Sequence, residues 1–279
     1  MKIDYMSDLH FEFTQHCRPL PNIKGGDVLI LAGDITTAAM FREKRTDKDA
    51  RSHAKFMDKF KKDVIDKYTH VLYIMGNHEH YNSTFHKTLP KLKEGFARHG
   101  MEKVLFCDNH SVLIDDTVFV GSTLWSDFEN GNDLSMYNCG RGMNDFRVIG
   151  SMDVEDMNYF NRYTSRTITP EFILEEHKKS LEFLKTNVKL GNKVVVFTHH
   201  GPTNQSLHSD HIGNSMDGAY CSDLSEFILD NPQIKVWIHG HTHQSKEYMV
   251  GECCVLAKQQ GYYMERSFSQ FDGPGTVEI

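Results

Sequence analysis

The chain has 279 residues, of which 39% are hydrophobic and 25% are charged, and these values are typical of a folded protein with a sizeable core. The formal net charge of −7 disfavours a protein that holds long nucleic acid through phosphate contacts. No apolar run reaches the roughly 20 residues of a membrane-spanning helix, so no membrane partner is expected. The cysteines show no CxxC spacing and the N-terminus shows no signal-peptide pattern, so we expect a cytoplasmic protein.

Short strand-like runs alternate with helical patterns along the chain. Strands are predicted at Lys2–Ser7, Val28–Ala32, Val71–Met75, Val104–Phe106, Ser111–Ile114, Val118–Thr123, Val194–Thr198, Val236–His239, Glu247–Val250, Cys253–Lys258 and around Thr276–Ile279. One helix is predicted after Ser52, and another begins at Thr169, an N-cap residue that is followed by Pro170. The runs on either side of Asp108 and Asn109 are expected to form a hairpin-like pair.

The mixture of elements predicts an α/β fold with two stacked mixed β-sheets flanked by helices. No linker-like or repeated segment divides the chain, so residues 1–279 are expected to form a single domain. The stretch 126–167 is long, polar and irregular, and it is rich in Asn, Asp, Gly and Met. Long loops of this kind usually serve a function, so we expect a lid-like insertion near the site.

Five short segments with metal-binding side chains each follow a predicted strand. They are Asp8-Leu9-His10, Gly33-Asp34, Gly76-Asn77-His78-Glu79, His199-His200 and Gly240-His241-Thr242-His243. Carboxylate and imidazole are typical ligands of divalent Mn, Fe, Zn and Co. Because the segments supply more ligands than one ion needs, they indicate a two-metal hydrolytic site.

The individual segments suit this chemistry. An Asp-x-His spacing would place Asp8 and His10 on the same side of a strand end, while Leu9 points into the core. Asp34 follows an apolar strand and a glycine, and its two oxygens can bridge two cations about 3.5–4 Å apart. Asn77 offers a neutral oxygen, which limits the negative charge and keeps the metal pair electrophilic.

Taken together in this order, and with Gly121-Ser122-Thr123-Leu124-Trp125 and Gly261-Tyr262, the segments resemble the calcineurin-like metallophosphoesterase superfamily, in particular its small single-domain bacterial and phage members. The resemblance extends from Asp8 to His243 and implies a four-layer α/β/β/α sandwich with a dinuclear metal centre. The chain departs from close relatives just before Gly261, where an Asn-Pro pair with a basic residue is missing. Substrate contacts inferred from those relatives therefore do not transfer.

The resemblance also implies which side chains hold two divalent ions, with Mn expected and Fe, Zn, Co or Ni as alternatives. One ion would be held by Asp8, His10, Asp34 and His243, and the other by Asp34, Asn77, His199 and His241. Neighbouring residues on a strand point to opposite sides, so only one residue of the doublet His199-His200 is expected to bind a metal. His199 is favoured because it occupies the motif position.

By the same resemblance, His78 binds no metal and is the catalytic side chain beside the substrate phosphate. A hydroxide that bridges the metals would attack phosphorus, and His78 would neutralise growing charge or protonate the leaving oxygen. The expected activity is hydrolysis of a phosphate ester, with a small-molecule or nucleotide phosphodiester favoured, and the sequence leaves the choice between a monoester and a diester open. Further substrate contacts are expected from His200, Trp125 and His208.

Two other functions remain as alternatives. A nuclease would use the same metal core, but it would need a basic groove or a nucleic-acid-binding domain, and the sequence shows no such domain. A catalytically silent protein-binding scaffold is less favoured, because the chain keeps every expected ligand and His78. The natural substrate and the oligomeric state stay open.

Overall fold

The structure is a computed structural model that describes residues 1–13, 23–42, 48–151, 167–209, 212–265 and 271–279. Its strands are β1 (Lys2–Met6), β2 (Gly26–Ala32), β3 (Tyr68–Ile74), β4 (Val104–Phe106), β5 (His110–Ile114), β6 (Thr117–Ser122), β7 (Val194–Thr198), β8 (Ile234–His239), β9 (Lys246–Val250), β10 (Cys253–Ala257) and β11 (Gly275–Glu278). Its α-helices are α1 (Lys48–Asp63), α2 (Thr88–Arg98), α3 (Phe128–Gly131), α4 (Asp133–Gly142), α5 (Asp145–Val148), α6 (Pro170–Asn187) and α7 (Ser225–Leu229).

The strands form two mixed sheets, which confirms the predicted fold class. The first sheet has the order β11-β1-β2-β3-β4, and the second has the order β5-β6-β7-β8-β10-β9. The inner strands of each sheet run parallel, whereas β11, β5 and β9 pair antiparallel at the edges.

The apolar run of β2 reflects a strand that is covered on both faces. Val28 and Ile30 pack into a cluster that also contains Phe197 of β7, so the two sheets are stacked face to face. Leu29 and Leu31 point the other way and pack against α1 and α2. The outer face of the second sheet packs against α6 and α7, which completes the order helix, sheet, sheet, helix.

The helix predicted from Thr169 and Pro170 is confirmed. The backbone amide of Phe172 donates to the Thr169 hydroxyl at 3.3 Å, and Pro170 occupies the first helical position, where no amide hydrogen is needed. The helix predicted after Ser52 is also present as α1, although it already begins at Lys48. None of the described helices is long and apolar enough to cross a membrane.

The hairpin predicted around Asp108 and Asn109 is wrong. β4 pairs with β3 in the first sheet, whereas β5 pairs with β6 in the second. Asp108 accepts hydrogen bonds from the backbone and hydroxyl of Thr123, and Asn109 accepts one from the Ser122 hydroxyl. These bonds tie the turn to the end of β6, so the chain passes from one sheet to the other.

The predicted insertion 126–167 is not irregular throughout. Its described part contains α3, α4 and α5, and Asn132 caps α4 by accepting from the amides of Leu134 and Ser135. Phe128, Cys139 and Ile149 pack in a separate apolar cluster beside Ile173 of α6. Residues 152–166 lie outside the described residues, so a lid function stays a prediction.

Candidate dinuclear metal centre

The loops that carry the predicted ligands follow the carboxyl ends of β1, β2, β3, β7 and β8. Asp8, His10, Asp34, His241 and His243 have left-handed backbones, with φ values of 56°, 50°, 55°, 72° and 53°. Non-glycine residues rarely adopt this region, and such strain is concentrated at functional sites where the surrounding structure enforces it. The local backbone therefore points to a site independently of the residue types.

The strand-alternation argument for Asp8 and His10 is wrong, although their side chains do converge. β1 ends at Met6, before either residue. The amides of Asp8 and His10 donate to the carbonyls of Gly33 and Asp34, both at 3.0 Å, and so dock the two loops against each other. Leu9 is buried in the apolar core, as predicted.

Two glycines make room for the ligands. A Cβ atom on Gly76 would lie 2.2 Å from Oδ1 of Asp34, and one on Gly33 would lie 2.4 Å from Nδ1 of His199. Gly33 also has a φ of 86°, which favours glycine. Substitution of either glycine would push the ligand side chains apart.

A first ligand group combines side chains from three loops. The ligand atoms of Asp8, His10, Asp34 and His243 all lie within 4.8 Å of one another. Nε2 of His243 is 3.3 Å from Oδ1 of Asp8, and Nε2 of His10 is 3.9 Å from Oδ2 of Asp34. We call this set group 1.

A second ligand group lies on the other side of Asp34. The ligand atoms of Asp34, His199 and His241 lie within 4.8 Å of one another, and Oδ1 of Asn77 is 3.1 Å from Nε2 of His199. Nε2 of His199 is 3.4 Å from Oδ1 of Asp34. We call this set group 2, and it contains His199 but not the neighbouring His200.

The donor atoms fit two divalent ions. Asp34 directs one oxygen to each group, as a bridging carboxylate does. Nε2 of His241 is buried and has no hydrogen-bond partner among the described residues. Nε2 of His10 and Nε2 of His243 lie 3.2 Å apart, close enough for both to bind one cation. Groups 1 and 2 are therefore the residues that would hold the ions.

Carboxylates that the sequence reasoning missed orient the histidines of group 1. Glu12 lies 3.1 Å from Nδ1 of His10 and 2.9 Å from Nδ1 of His78. Glu265 lies 2.6 Å from Nδ1 of His243. A carboxylate on Nδ1 fixes the tautomer and directs Nε2 to the metal. The only sequence signal for Glu12 is its position two residues after His10.

Group 2 is oriented by different partners. Nδ1 of His199 donates to the backbone carbonyl of Ala32 at 2.8 Å. The amide nitrogen of Asn77 donates to Oδ1 of Asp145 at 2.9 Å, so the amide oxygen faces group 2. Asp145 is the first residue of α5, in the insertion, and it was also missed.

His78 lies beside the two groups and lines the cavity above them. Its backbone amide donates to Oδ1 of Asp34 at 2.9 Å, and its ring stacks on Tyr81 with centroids 4.1 Å apart. Nε2 of His78 lies 2.7 Å from the hydroxyl of Tyr262. Both ring nitrogens of His78 therefore have a hydrogen-bond partner, Glu12 at Nδ1 and Tyr262 at Nε2. Tyr262 also lines the cavity described below, so Nε2 is the nitrogen on that side.

Glu79 braces the site and does not face it. Its carboxylate accepts hydrogen bonds from the backbone amides of Asp34, Ile35, Thr36 and Gly76, and from the hydroxyl of Tyr73. The side chain is completely buried. It therefore ties the loop after β3 to the loop after β2 and keeps Asn77 and Asp34 in register.

The two groups differ in their electrostatics. Burial alone would lower the pKa of His243, but hydrogen bonds with Asp8 and Glu265 raise it to about 9. Burial lowers the pKa of His199, and burial together with the charge of His200 lowers the pKa of His241 well below its usual value. Because the pKa of His243 is raised, metal binding to group 1 would have to displace a proton from this imidazole.

A cavity of about 510 Å³ opens above the two groups. Asp34, Asn77, His78, His241 and His243 contribute to its lining on the metal side. Its apolar wall is formed by Met143, Leu207, Met216 and Tyr220, and His208 also lines it. The predicted substrate contact of His208 is therefore compatible with its position.

His200 and Trp125 do not line this cavity. His200 is buried, with Nδ1 3.3 Å from the carbonyl of Thr123, and its ring centroid lies 4.3 Å from that of His241. Trp125 packs in the apolar cluster of the insertion and lies 5.2 Å from the His200 ring. In this structure both pack behind the metal ligands, and their contact with substrate stays a prediction.

Comparisons with known proteins agree with this geometry. The family model described as calcineurin-like phosphoesterase matches residues 1–245. An uncharacterized protein, L509, of Acanthamoeba polyphaga mimivirus is 26% identical over 236 residues, which cover 76% of this chain and 75% of that protein.

Solved structures of other proteins are also similar to this chain. Phosphopantetheinyl hydrolase (PptH) from Mycobacterium tuberculosis superposes with a TM-score of 0.66 at 14% identity, covering 99% of this chain and 95% of that chain. A putative 5′-nucleotidase from Staphylococcus aureus gives a TM-score of 0.45 at 13% identity, covering 94% of this chain and 48% of that one. The family match spans most of the sequence, so this chain belongs to the calcineurin-like phosphoesterase family and is a metal-dependent phosphoester hydrolase.

Proposed function

We propose that the protein hydrolyses a small phosphodiester with two divalent ions held by groups 1 and 2. The observation that carries this proposal is the position of Asp34, whose two oxygens face the two groups while His78 stands beside them at the cavity. Bound ions would activate water as the nucleophile and neutralise charge on the phosphoryl oxygens. Mn is proposed as the metal because the donor set mixes carboxylate, amide and imidazole, and Fe, Zn, Co or Ni are alternatives.

The side chains of the protein supply the remaining steps. Glu12 accepts from Nδ1 of His78 and fixes the plane of the ring, while stacking on Tyr81 limits its rotation. Nε2 of His78 can then exchange its contact with Tyr262 for a phosphoryl or leaving-group oxygen. With a proton on Nε2 as well as on Nδ1, the ring would stabilise developing negative charge, transfer the Nε2 proton to the leaving alkoxide oxygen and be left neutral with its Nδ1 proton hydrogen-bonded to Glu12.

The cavity favours a substrate with a single phosphate that is esterified twice and carries at least one apolar or planar group. Its volume of about 510 Å³ is in the usual range for small-molecule sites. Met143, Met216 and Tyr220 offer thioether and aromatic surface for such a group. Asp217 and Glu265 also line the cavity, and their carboxylates disfavour additional phosphates. Nucleotide diesters meet these conditions.

The test is hydrolysis of bis-p-nitrophenyl phosphate and of p-nitrophenyl phosphate with added Mn. We expect higher kcat/KM on the diester, and a decrease of about 10²–10⁴-fold in His78→Ala. The exposed His110 on β5 gives a matched control, and His110→Ala should behave as wild type. A preference for the monoester, or an unchanged rate in His78→Ala, would contradict the proposal.

The nuclease alternative is tested in the same assay series. Oligonucleotide hydrolysis that exceeds small-diester hydrolysis, and that falls steeply as salt rises, would favour a nuclease. The proposal predicts faster hydrolysis of the small diester than of the oligonucleotide. The apolar wall of the cavity, on one side of the metal centre, leaves less room for a polymer than for a small diester.

A further inference from the structure

Asp145 connects the insertion to a metal ligand. Its side chain is buried, with a residue exposure of 5%, and Oδ1 accepts from the amide nitrogen of Asn77 at 2.9 Å. The same oxygen accepts from the hydroxyl of Tyr81 at 2.7 Å. Burial and the Asp145 charge raise the pKa of the Tyr81 hydroxyl, so this group stays a donor.

The contact selects one orientation of the Asn77 amide. An amide has an acceptor at one end and a donor at the other, and only the oxygen binds a metal. If the amide were rotated by half a turn, its oxygen would face the Asp145 carboxylate and its nitrogen would face group 2. Both contacts would then be unfavourable, so Asp145 holds the orientation that binds metal.

The segment around Asp145 is anchored to the loop that follows Asn77. The amide of Asn82 donates to the carbonyl of Val148 at 3.0 Å, and the amide of Phe85 donates to the carbonyl of Gly150 at 2.8 Å. Met143 and Asn144, just before Asp145, line the cavity. The same short segment therefore contacts both the cavity and the ligand of group 2.

We propose that Asp145 is a positioning residue that sets the affinity of group 2 for its ion, and that α5 is thereby part of the metal centre. The proposal rests on the two-ion site of the proposed function. Its physical basis is the general effect of groups that orient metal ligands, whose loss typically lowers metal affinity by about 10–100-fold.

The experiment compares three variants after removal of metal with a chelator. Asp145→Leu removes the acceptor and keeps the branched shape of the side chain, Asp145→Asn keeps an acceptor oxygen for Asn77, and Tyr81→Phe removes the second donor. Mn binding is measured by equilibrium dialysis with elemental analysis, and the Mn pair is detected by electron paramagnetic resonance as an exchange-coupled spectrum.

We expect Asp145→Leu to bind one ion as wild type does and the other about 10–100-fold more weakly, with the coupled spectrum replaced by that of isolated Mn. Asp145→Asn should remain within about threefold of wild type, and Tyr81→Phe should keep two ions. The exposed Asp230 supplies the control, because Asp230→Asn should change neither affinity.

Several outcomes would overturn the proposal. Wild-type binding of both ions by Asp145→Leu would show that the contact does not set affinity. Equal weakening of both ions together with a lower Tm of the metal-free protein would show a role in folding alone. Wild-type protein that binds a single ion would reject the two-ion site itself and, with it, the role of Asp145. No diesterase activity in a wild type that binds two coupled ions would reject only the proposed substrate class.

Discussion

Groups 1 and 2 share Asp34 but are built in different ways. In group 1, the imidazoles of His10 and His243 each have a carboxylate, Glu12 or Glu265, at Nδ1. In group 2, His199 instead donates to a backbone carbonyl, and the amide of Asn77 replaces an anionic ligand. Group 1 therefore has a greater negative charge around its ion than group 2 has.

The difference predicts unequal metal binding. A carboxylate on Nδ1 makes an imidazole more basic and a stronger ligand, and Asp8 adds a full negative charge to group 1. Group 2 contributes neutral donors apart from the shared Asp34. We infer that group 1 holds its ion more tightly and that the ion in group 2 exchanges more readily.

The largest effect is expected from Asp34→Asn, which breaks the connection between the groups. An amide has one oxygen instead of two, so it cannot bridge two ions and it also removes the only anionic ligand of group 2. Loss of metal-based charge stabilisation of several kcal/mol corresponds to a decrease on the order of 10³-fold in diester kcat/KM. The measurement is steady-state kinetics together with the Mn content after gel filtration.

Asp230→Asn again serves as the control for loss of a surface carboxylate. Retention of two tightly bound ions by Asp34→Asn would contradict the bridging role and would remove the physical reason for treating the groups as one site.

Smaller and more selective effects on metal affinity and kcat are expected from substitution of Glu12 and Glu265, the carboxylates that orient the histidines of group 1. Glu265 contacts His243, whereas Glu12 contacts both His10 and His78. Glu265→Gln should therefore weaken the tighter ion by about 10–100-fold with little change in kcat at saturating Mn. Glu12→Gln should weaken the same ion and also lower kcat, because His78 loses its partner.

Calorimetric Mn titration and kinetics at saturating Mn separate the two effects. If both variants changed only metal affinity, the role assigned to Glu12 in orienting His78 would be wrong. If Glu265→Gln weakened the second ion and spared the first, the assignment of the tighter ion to group 1 would be wrong.

The sequence predicted the fold closely because its central strands are unambiguous. The apolar run of β2 and the Thr169-Pro170 start of α6 are local signals that tertiary contacts did not override. The pairing of β4 and β5 was predicted incorrectly, because the turn bonds of Asp108 and Asn109 to the end of β6 join residues that are distant in sequence. No local pattern contains that information.

The residues of the site also fall into those that the sequence predicted and those that it missed. The proposed ligands follow strands and stand in short motifs, so the sequence predicted a set of residues that the structure brings together. Glu12, Asp145 and Glu265 are single carboxylates in separate loops, and a lone acidic residue is usually a solvated surface group. Their role depends on an approach of loops that only the folded chain shows.

The smallest predicted effect concerns the pH dependence of the free energy of unfolding and comes from His80. This buried histidine belongs to neither group, so its contribution can be separated from that of the proposed ligands. Burial lowers the pKa of His80 from 6.5 to about 3, and its ring stacks on Phe85 at 4.4 Å. The folded protein thus keeps His80 neutral while the unfolded chain takes up a proton below pH 6.5. This contribution to stability is complete above pH 6.5 and is lost as the pH falls toward 3, at up to about 1.4 kcal/mol per pH unit.

His80→Phe keeps the aromatic contact and removes the titration, so its free energy of unfolding should fall less steeply between pH 6.5 and 5. Urea unfolding of the chelated protein at several pH values measures the slope, with His110→Ala as the exposed control. A slope equal to that of wild type would mean that His80 is protonated in the folded state. The acid sensitivity would then come from the other buried histidines whose pKa values burial lowers, which are His10 in group 1, His199 and His241 in group 2, and His177, His200 and His239 outside both groups.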